Sequence, residues 1–442
     1  MRFGEFKTYA KELLTIALPI IMGNLGFILI SAGDVWVAAK HSTQTLAAIS
    51  IATAIVNCIF TLGIGLMGSV SPVLSNLRGQ HQSAKKYFYP TIRFAMGLAL
   101  ITTILMFISI PMIDYLHFSP DLTPLIKQYI FITAFSTFGA VLHMAMKEFL
   151  QAFEIVFVPN LVTIFSVILN VLLCILFVFG YGPIPSLGVK GLAIASLLVR
   201  YFMGIVLLIY CYNTMKFREH HGNKLYYGTL LKVGLPISFA VLVEFIAFNS
   251  IAILMGRISG VYAGAQNLIC TLTTISFMVP FAISNAIGVK VGFANGEKNF
   301  TDLKRYSVIG TCMGVAFMAC SSLIFANFPQ TLVGFFTKDA ELIKICVPIM
   351  YLLSIFQLFD GLQISLAGIF KGIKKTEYVL LTNFTAYWLV SLPLGYYLSF
   401  HHGMKLIGFW VGLLCAVIIL CIMMGSILFF QIKDVKKKFA AD

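Results

Sequence analysis

Long apolar runs recur along the whole chain, and they constrain its fold more than any motif does. Twelve can be marked, roughly at 12–38, 46–73, 90–113, 124–147, 156–180, 189–212, 229–256, 263–289, 306–328, 341–370, 377–400 and 406–431. Each offers the ~20 mostly apolar residues that a helix needs to cross a bilayer. A backbone inside hydrocarbon must pair its own N–H and C=O groups, so only helices and closed barrels span. Runs this long without strand alternation are helices. With 59% of the 442 residues hydrophobic and 11% charged, no soluble class competes with this reading.

The formal charge of +14 is placed by loop. Basic residues gather in alternate connections: Arg2, Lys7 and Lys11; Arg78, Lys85 and Lys86; Lys216, Arg218 and Lys224; Lys290, Lys298, Lys304 and Arg305; Lys371, Lys374 and Lys375; Lys433 and Lys436 to Lys438. The loops between them carry few. By the positive-inside rule the richer set is cytoplasmic, which puts both termini inside. No aromatic-interleaved basic patch accompanies these charges, so no nucleic-acid partner is expected. The first ten residues lack the pattern of a cleaved secretory signal, and the first helix is expected to be retained. The nine cysteines form no C-x-x-C pair and read as packing residues rather than a disulfide or zinc framework.

The chain repeats itself. LLTIALPI at 13–20 answers LLKVGLPI at 230–237, Gly79 answers Gly296, and LIKQY at 125–129 answers LIKIC at 342–346, all at one shift of 217. The expected architecture is therefore an all-α membrane protein of twelve transmembrane helices in two six-helix bundles related by pseudo-two-fold symmetry. The bundles are residues 1–212 and 230–442, joined by a cytoplasmic linker at 213–229. Copies with parallel topology share an axis along the membrane normal, and by analogy such a plan suits a transporter with a midplane site.

Chemistry must come from the few ionisable groups set deep in the spans. Asp34, Glu244 and Asp360 are the acids well inside apolar runs. Intramembrane carboxylates are costly, by roughly 2.5–3.5 kcal/mol on insertion scales, and mark functional sites. By helix rise Glu244 lies about 18 Å past Lys232 and Asp360 about 16 Å from Lys371, so the two share a level; Asp34 lies only about 9 Å from Lys40. Gln357, Asp360 and Gln363 recur on one side of the tenth span. Gln266 and Asn267, with Thr271 and Thr274, mark the eighth, and Thr163, Ser166 and Asn170 the fifth. Arg200 is the lone mid-span cation, open to three readings: counter-ion to an acid, anion contact, or a snorkelling side chain.

These residues carry a resemblance. SAGDVWVAAKHSTQTLAAISIA (31–52), LGIGLMGSVSPVLSNLRGQ (62–80), LPISFAVLVEFIAFNSIAIL (235–254), YAGAQNLICTL (262–272) and LFDGLQISLAGIFKGIKKT (358–376) occur in an order and duplication that resemble the multidrug and toxic compound extrusion (MATE) transporters, most nearly their NorM-like branch. The resemblance implies export of amphipathic, often cationic compounds in exchange for Na+ or H+. It places Glu244, Asp360 and Asp34 on the family's ion-coupling acids, the first two forming the coupling site and holding the metal if Na+ is the ion. Asn170 matches a polar position of the fifth span, but Cys174 stands where a second Asn is often found. Phe356 stands where NorM-like proteins can carry a cation-contacting Tyr, and these two losses leave H+ as a rival to Na+.

The expected substrate cavity is lined by Asn170, Gln266, Asn267, Phe356, Gln357, Gln363 and Arg200. No cofactor beyond the coupling cation, no enzymatic activity and a monomer in the bilayer of a bacterial inner membrane complete the expectation. The sequence holds no H-E-x-x-H, no G-x-S-x-G and no phosphate-binding loop. The alternatives are a lipid-linked oligosaccharide flippase, which would want a more basic cavity, and an exporter of one endogenous metabolite.

Overall fold

The structure is a computed structural model, and it describes residues 3–215 and 224–441. Part of the stretch read as the linker, residues 216–223, therefore lies outside the described residues. Helices account for nearly everything else: α1 (Phe3–His41), α2 (Thr43–Met67), α3 (Val70–Gly79), α4 (Phe88–Met112), α5 (Thr123–Ala152), α6 (Phe157–Phe179), α7 (Val189–Met215), α8 (Lys224–Gly256), α9 (Gly260–Gly296), α10 (Phe300–Asn327), α11 (Pro329–Phe336) and α12 (Ala340–Gly372) precede a segmented stretch and one last long helix. Among the described residues, eleven helices are long and apolar enough to cross a membrane.

The twelfth expected span, 377–400, is helical but not one regular helix. It runs through α13 (Glu377–Phe384), a π-helical turn at Thr385–Ser391, α14 (Leu392–Tyr396) and a second π-helical turn at Tyr397–His401, before α15 (Lys405–Ala441). A π segment widens the turn, and such turns concentrate at functional sites. Helix starts follow local chemistry elsewhere. The Ser42 hydroxyl accepts from the Thr45 N–H at 3.0 Å, and Asp339 accepts from the N–H groups of Glu341 and Leu342. These side chains satisfy donors that a helix leaves unpaired at its first turn.

The chain divides into two compact units. Unit 1 holds Met1–Ala17, Ser75–His81 and Phe239–Asp442; unit 2 holds Leu18–Leu74 and Gln82–Ser238. The repeat-equivalent helices α1 and α8 are each divided, near Pro19 and Pro236. In unit 2 the core gathers small and branched side chains from α1, α2, α5, α6 and α7, among them Val37, Ala38, Ala52, Ala134, Cys174 and Ala195. There α5 and α7 cross at glycine. A Cβ on Gly139 would run into the backbone of Arg200 and Tyr201, and one on Gly204 into the Gly139 carbonyl. In unit 1, α10 and α12 cross in the same way at Gly314 and Gly361, beside Asp360. Close approach at small residues is how helices gain contact in lipid, where hydrophobic driving force between them is missing.

Candidate functional site

Unit 1 brings together the two acids that share a level. Glu244 on α8 is half-buried, and Asp360 on α12 is 3% exposed. The charge of Glu244 acts on Asp360. Two further polar groups come from the segmented helix: the Tyr387 hydroxyl donates to Glu244 Oε1 at 3.3 Å, and Asn383 Nδ2 donates to Oε2 at 3.5 Å. Trp388 Nε1 donates to the Val243 carbonyl at 3.1 Å, which pins this helix against α8 one residue before the acid. Neither carboxyl is in an ion pair among the described residues.

Around the pair lies a store of unused hydrogen-bonding capacity. Gln357 is fully buried with both amide atoms unpartnered, and Gln363 Oε1 and Asn383 Oδ1 are also buried without partners. Buried amides left unpaired are costly, so each such group in a native fold calls for an explanation. Oxygens of this kind beside two carboxyls make a setting that accepts a proton or a small hard cation.

Tyr387 and Asn383 were missed by sequence reasoning, although their i, i+4 spacing in an apolar span was a usable signal. Tyr387 offers a hydroxyl to Glu244 from a helix other than that of Phe356. Phe356 itself is 1% exposed and meets Trp410 edge-on at 5.7 Å; Trp410 Nε1 donates to Gln266 Oε1 at 3.0 Å.

The acid of unit 2 sits differently. Asp34 Oδ1 accepts from Cys174 Sγ and Oδ2 from Ser196 Oγ, both at 3.3 Å. Cys174 thus stands in for the expected second Asn as a donor to the acid. Asn170 lies against the same carboxyl, although its buried amide lacks a well-formed partner. Arg200 lies one turn beyond Ser196 on α7. Its Nη1 donates to Ser136 Oγ at 2.7 Å, its Cζ lies 4.7 Å from the Phe60 ring centroid, and its charge acts on Asp34. Among the described residues Arg200 and Asp34 form no ion pair; the guanidinium is placed on Ser136 and Phe60.

The sequence profile of the MatE family matches residues 19–176 and 236–397, once in each copy of the repeat. The chain belongs to the MatE family. It is similar to the probable multidrug resistance protein NorM of Bacillus licheniformis, at 25% identity over 447 residues and 98% of each chain. It is also similar to that of Rhizobium meliloti, at 28% identity over 430 residues, covering 92% of this chain and 91% of the relative. In fold it matches a multidrug resistance MATE family transporter of the MOP superfamily solved in an outward-facing conformation, with a TM-score of 0.88, 18% identity and 97% of both chains covered. MatE proteins are transporters rather than enzymes, and this one is a multi-pass membrane protein.

Other expected residues of this MatE chain are placed less centrally. Asn267 is exposed, and the Thr271 and Thr274 hydroxyls bond to carbonyls of their own helix, as membrane Thr commonly does. Gln266 is buried and donates to Cys270 Sγ at 3.3 Å. Thr163 and Ser166 are buried and bonded within α6.

Proposed function

We propose that this chain exports small amphipathic, positively charged compounds in exchange for an inward-moving cation, Na+ or H+. It works as a monomer in a bacterial cytoplasmic membrane with both termini inside, its site open to each side in turn. The observation that carries the reading is the pair Glu244 and Asp360. Both carboxyls lie in unit 1 with Tyr387, Asn383 and Gln357, and among the described residues neither is in an ion pair. The names of the relatives, multidrug resistance proteins over nearly the full length, support the same reading.

The mechanism is a competition. A positively charged compound entering from the cytoplasm is held by the acids, with Phe245 and Phe248 on the same helix available for cation–π and apolar contact. A cation arriving from outside neutralises Glu244 and Asp360, held as a proton on a carboxyl or as Na+ among carboxylate, hydroxyl and amide oxygens, and the compound is released. Coupling requires the two ligands to favour opposite states, since a ligand indifferent to the states shifts nothing.

The test is ethidium transport in proteoliposomes under imposed Na+ or H+ gradients, comparing wild type with Glu244→Gln and Asp360→Asn. Flux should follow one gradient and vanish in both variants; undiminished gradient-driven flux in both overturns the mechanism. The lipid-linked oligosaccharide alternative finds no favouring observation, since the mid-span Arg200 is already engaged by Ser136 and Phe60.

A further inference from the structure

Each acid of unit 1 has a phenyl ring one turn away on its own helix, and a single indole joins the two rings. Phe248 stands four residues after Glu244 on α8, and Phe356 stands four residues before Asp360 on α12, spacings that place ring and acid on one face of each helix. Trp410, on α15, meets both. Its ring centroid lies 6.3 Å from that of Phe248 at 67° and 5.7 Å from that of Phe356 at 83°, edge-to-face in each case. Aromatic pairs favour this arrangement. Trp410 is fully buried, and its N–H donates to Gln266 Oε1 on α9 at 3.0 Å, which fixes the plane of the indole. The same helix also holds α12 beside its acid, where Cys421 Sγ donates to the Phe359 carbonyl at 3.2 Å. From the other side, Phe248 meets the ring of Tyr387 at 6.0 Å, and Tyr387 donates to Glu244. A chain of measured contacts thus runs from one indole towards both acids, although the indole N–H bonds to neither of them.

We propose that Trp410 is a positioning residue of the coupling site: wedged between Phe248 and Phe356, it sets the separation of Glu244 and Asp360 and so how tightly the pair takes the coupling cation. The inference rests on the exporter reading and deepens it. Two carboxyls serve one cation only over a narrow range of separations. Too close, their repulsion favours a shared proton; too far, each titrates alone and a metal ion loses a ligand. Protein interiors are packed at the density of organic crystals, so a rigid bicyclic side chain passes its dimensions on to the helices it touches. An aliphatic side chain in its place leaves a gap, and the two helices settle towards it.

The experiment uses the full-length protein in proteoliposomes, with ethidium as the transported probe and the cation whose gradient drives wild-type flux. The quantity read is the cation concentration giving half-maximal flux, kept apart from the maximal flux itself. Trp410→Leu should raise that concentration about tenfold while maximal flux stays within about twofold of wild type. Trp410→Phe keeps a ring in the wedge and should recover most of the affinity, to within about threefold of wild type. Phe409→Leu truncates the next residue, a buried ring packed on Gly395, and separates positioning from mere support of α15. It should lower Tm in detergent and leave the half-saturating concentration unchanged. If Trp410→Leu does not insert, Phe248→Leu carries the test with the same expected rise, because it removes the link from the indole to α8. A half-saturating concentration that falls or stays within about twofold of wild type in Trp410→Leu, or in Phe248→Leu where that variant stands in, overturns the proposal. So does a rise in Phe409→Leu as large as that in Trp410→Leu. Wild-type protein without any gradient-driven flux overturns the exporter reading, and this inference with it.

Discussion

The two units handle buried negative charge in different ways. In unit 1 Glu244 and Asp360 lie among Tyr387, Asn383 and unpartnered amides, and neither is in an ion pair among the described residues. In unit 2 Asp34 has donors on both oxygens and a guanidinium one turn away from one of them. Burial alone thus does not set how a carboxyl in a span is satisfied; the donors packed around it do. Both clusters keep buried amide atoms without partners, those of Gln357 and Asn383 in one and of Asn170 in the other.

The largest effect should come from removing either acid of the unit 1 pair. Glu244→Gln and Asp360→Asn should each bring gradient-driven dye flux down to that of protein-free liposomes. Gln357→Lys, which sets a fixed cation one turn before Asp360, should do the same while the protein still inserts. Flux that survives Gln357→Lys would break the comparison. Next in size is stability. Arg200→Gln should cost about 1–3 kcal/mol by removing the guanidinium from Ser136 and Phe60, read as a lower Tm in detergent.

A smaller effect is expected at the rim of the acid pair. Tyr387→Phe removes one long hydrogen bond to Glu244, worth about 1 kcal/mol, and should weaken apparent affinity for the coupling cation about fivefold with little change in Tm. The smallest concerns a cation that unit 1 does possess, away from the acids. Lys374 Nζ donates to Asn76 Oδ1 at 2.6 Å, and burial holds its ammonium below the ordinary lysine range. The unfolded chain then binds that proton more tightly than the folded one. The resulting cost is present in full below the folded pKa and lifts as pH rises through it towards about 10.4. Lys374→Met should flatten that alkaline rise in thermal stability, and flux at neutral pH should stay within twofold, since Gln80 also donates to Asn76 Oδ1.

Hydropathy alone made eleven spans legible, because length and apolarity are properties of each segment by itself. Helix rise also gave Glu244 and Asp360 a common depth from their charged ends, and both fall in unit 1. What escaped was partnership across helices. Tyr387 and Asn383 reach Glu244 from a helix more than 130 residues away, around a π turn at Thr385–Ser391 that no hydropathy window registers. Arg200 could be seen as unusual but not assigned. Its partner Ser136 is 64 residues away in sequence, and the glycine crossing that joins them is a fact of packing.

The wide turn at Thr385–Ser391 also sets how this protein tolerates small changes in length. A π turn carries about one residue more than an α turn over the same rise, and one α residue is worth about 100° of rotation. Excising a single residue between Leu389 and Ser391 would let the helix tighten and swing one flank against the other by that angle. Asn383 and Tyr387 would keep their view of Glu244 only if the far end, bound to α15, gave way instead. A one-codon deletion there would therefore act like a change of gear in the mechanism rather than a trimmed loop.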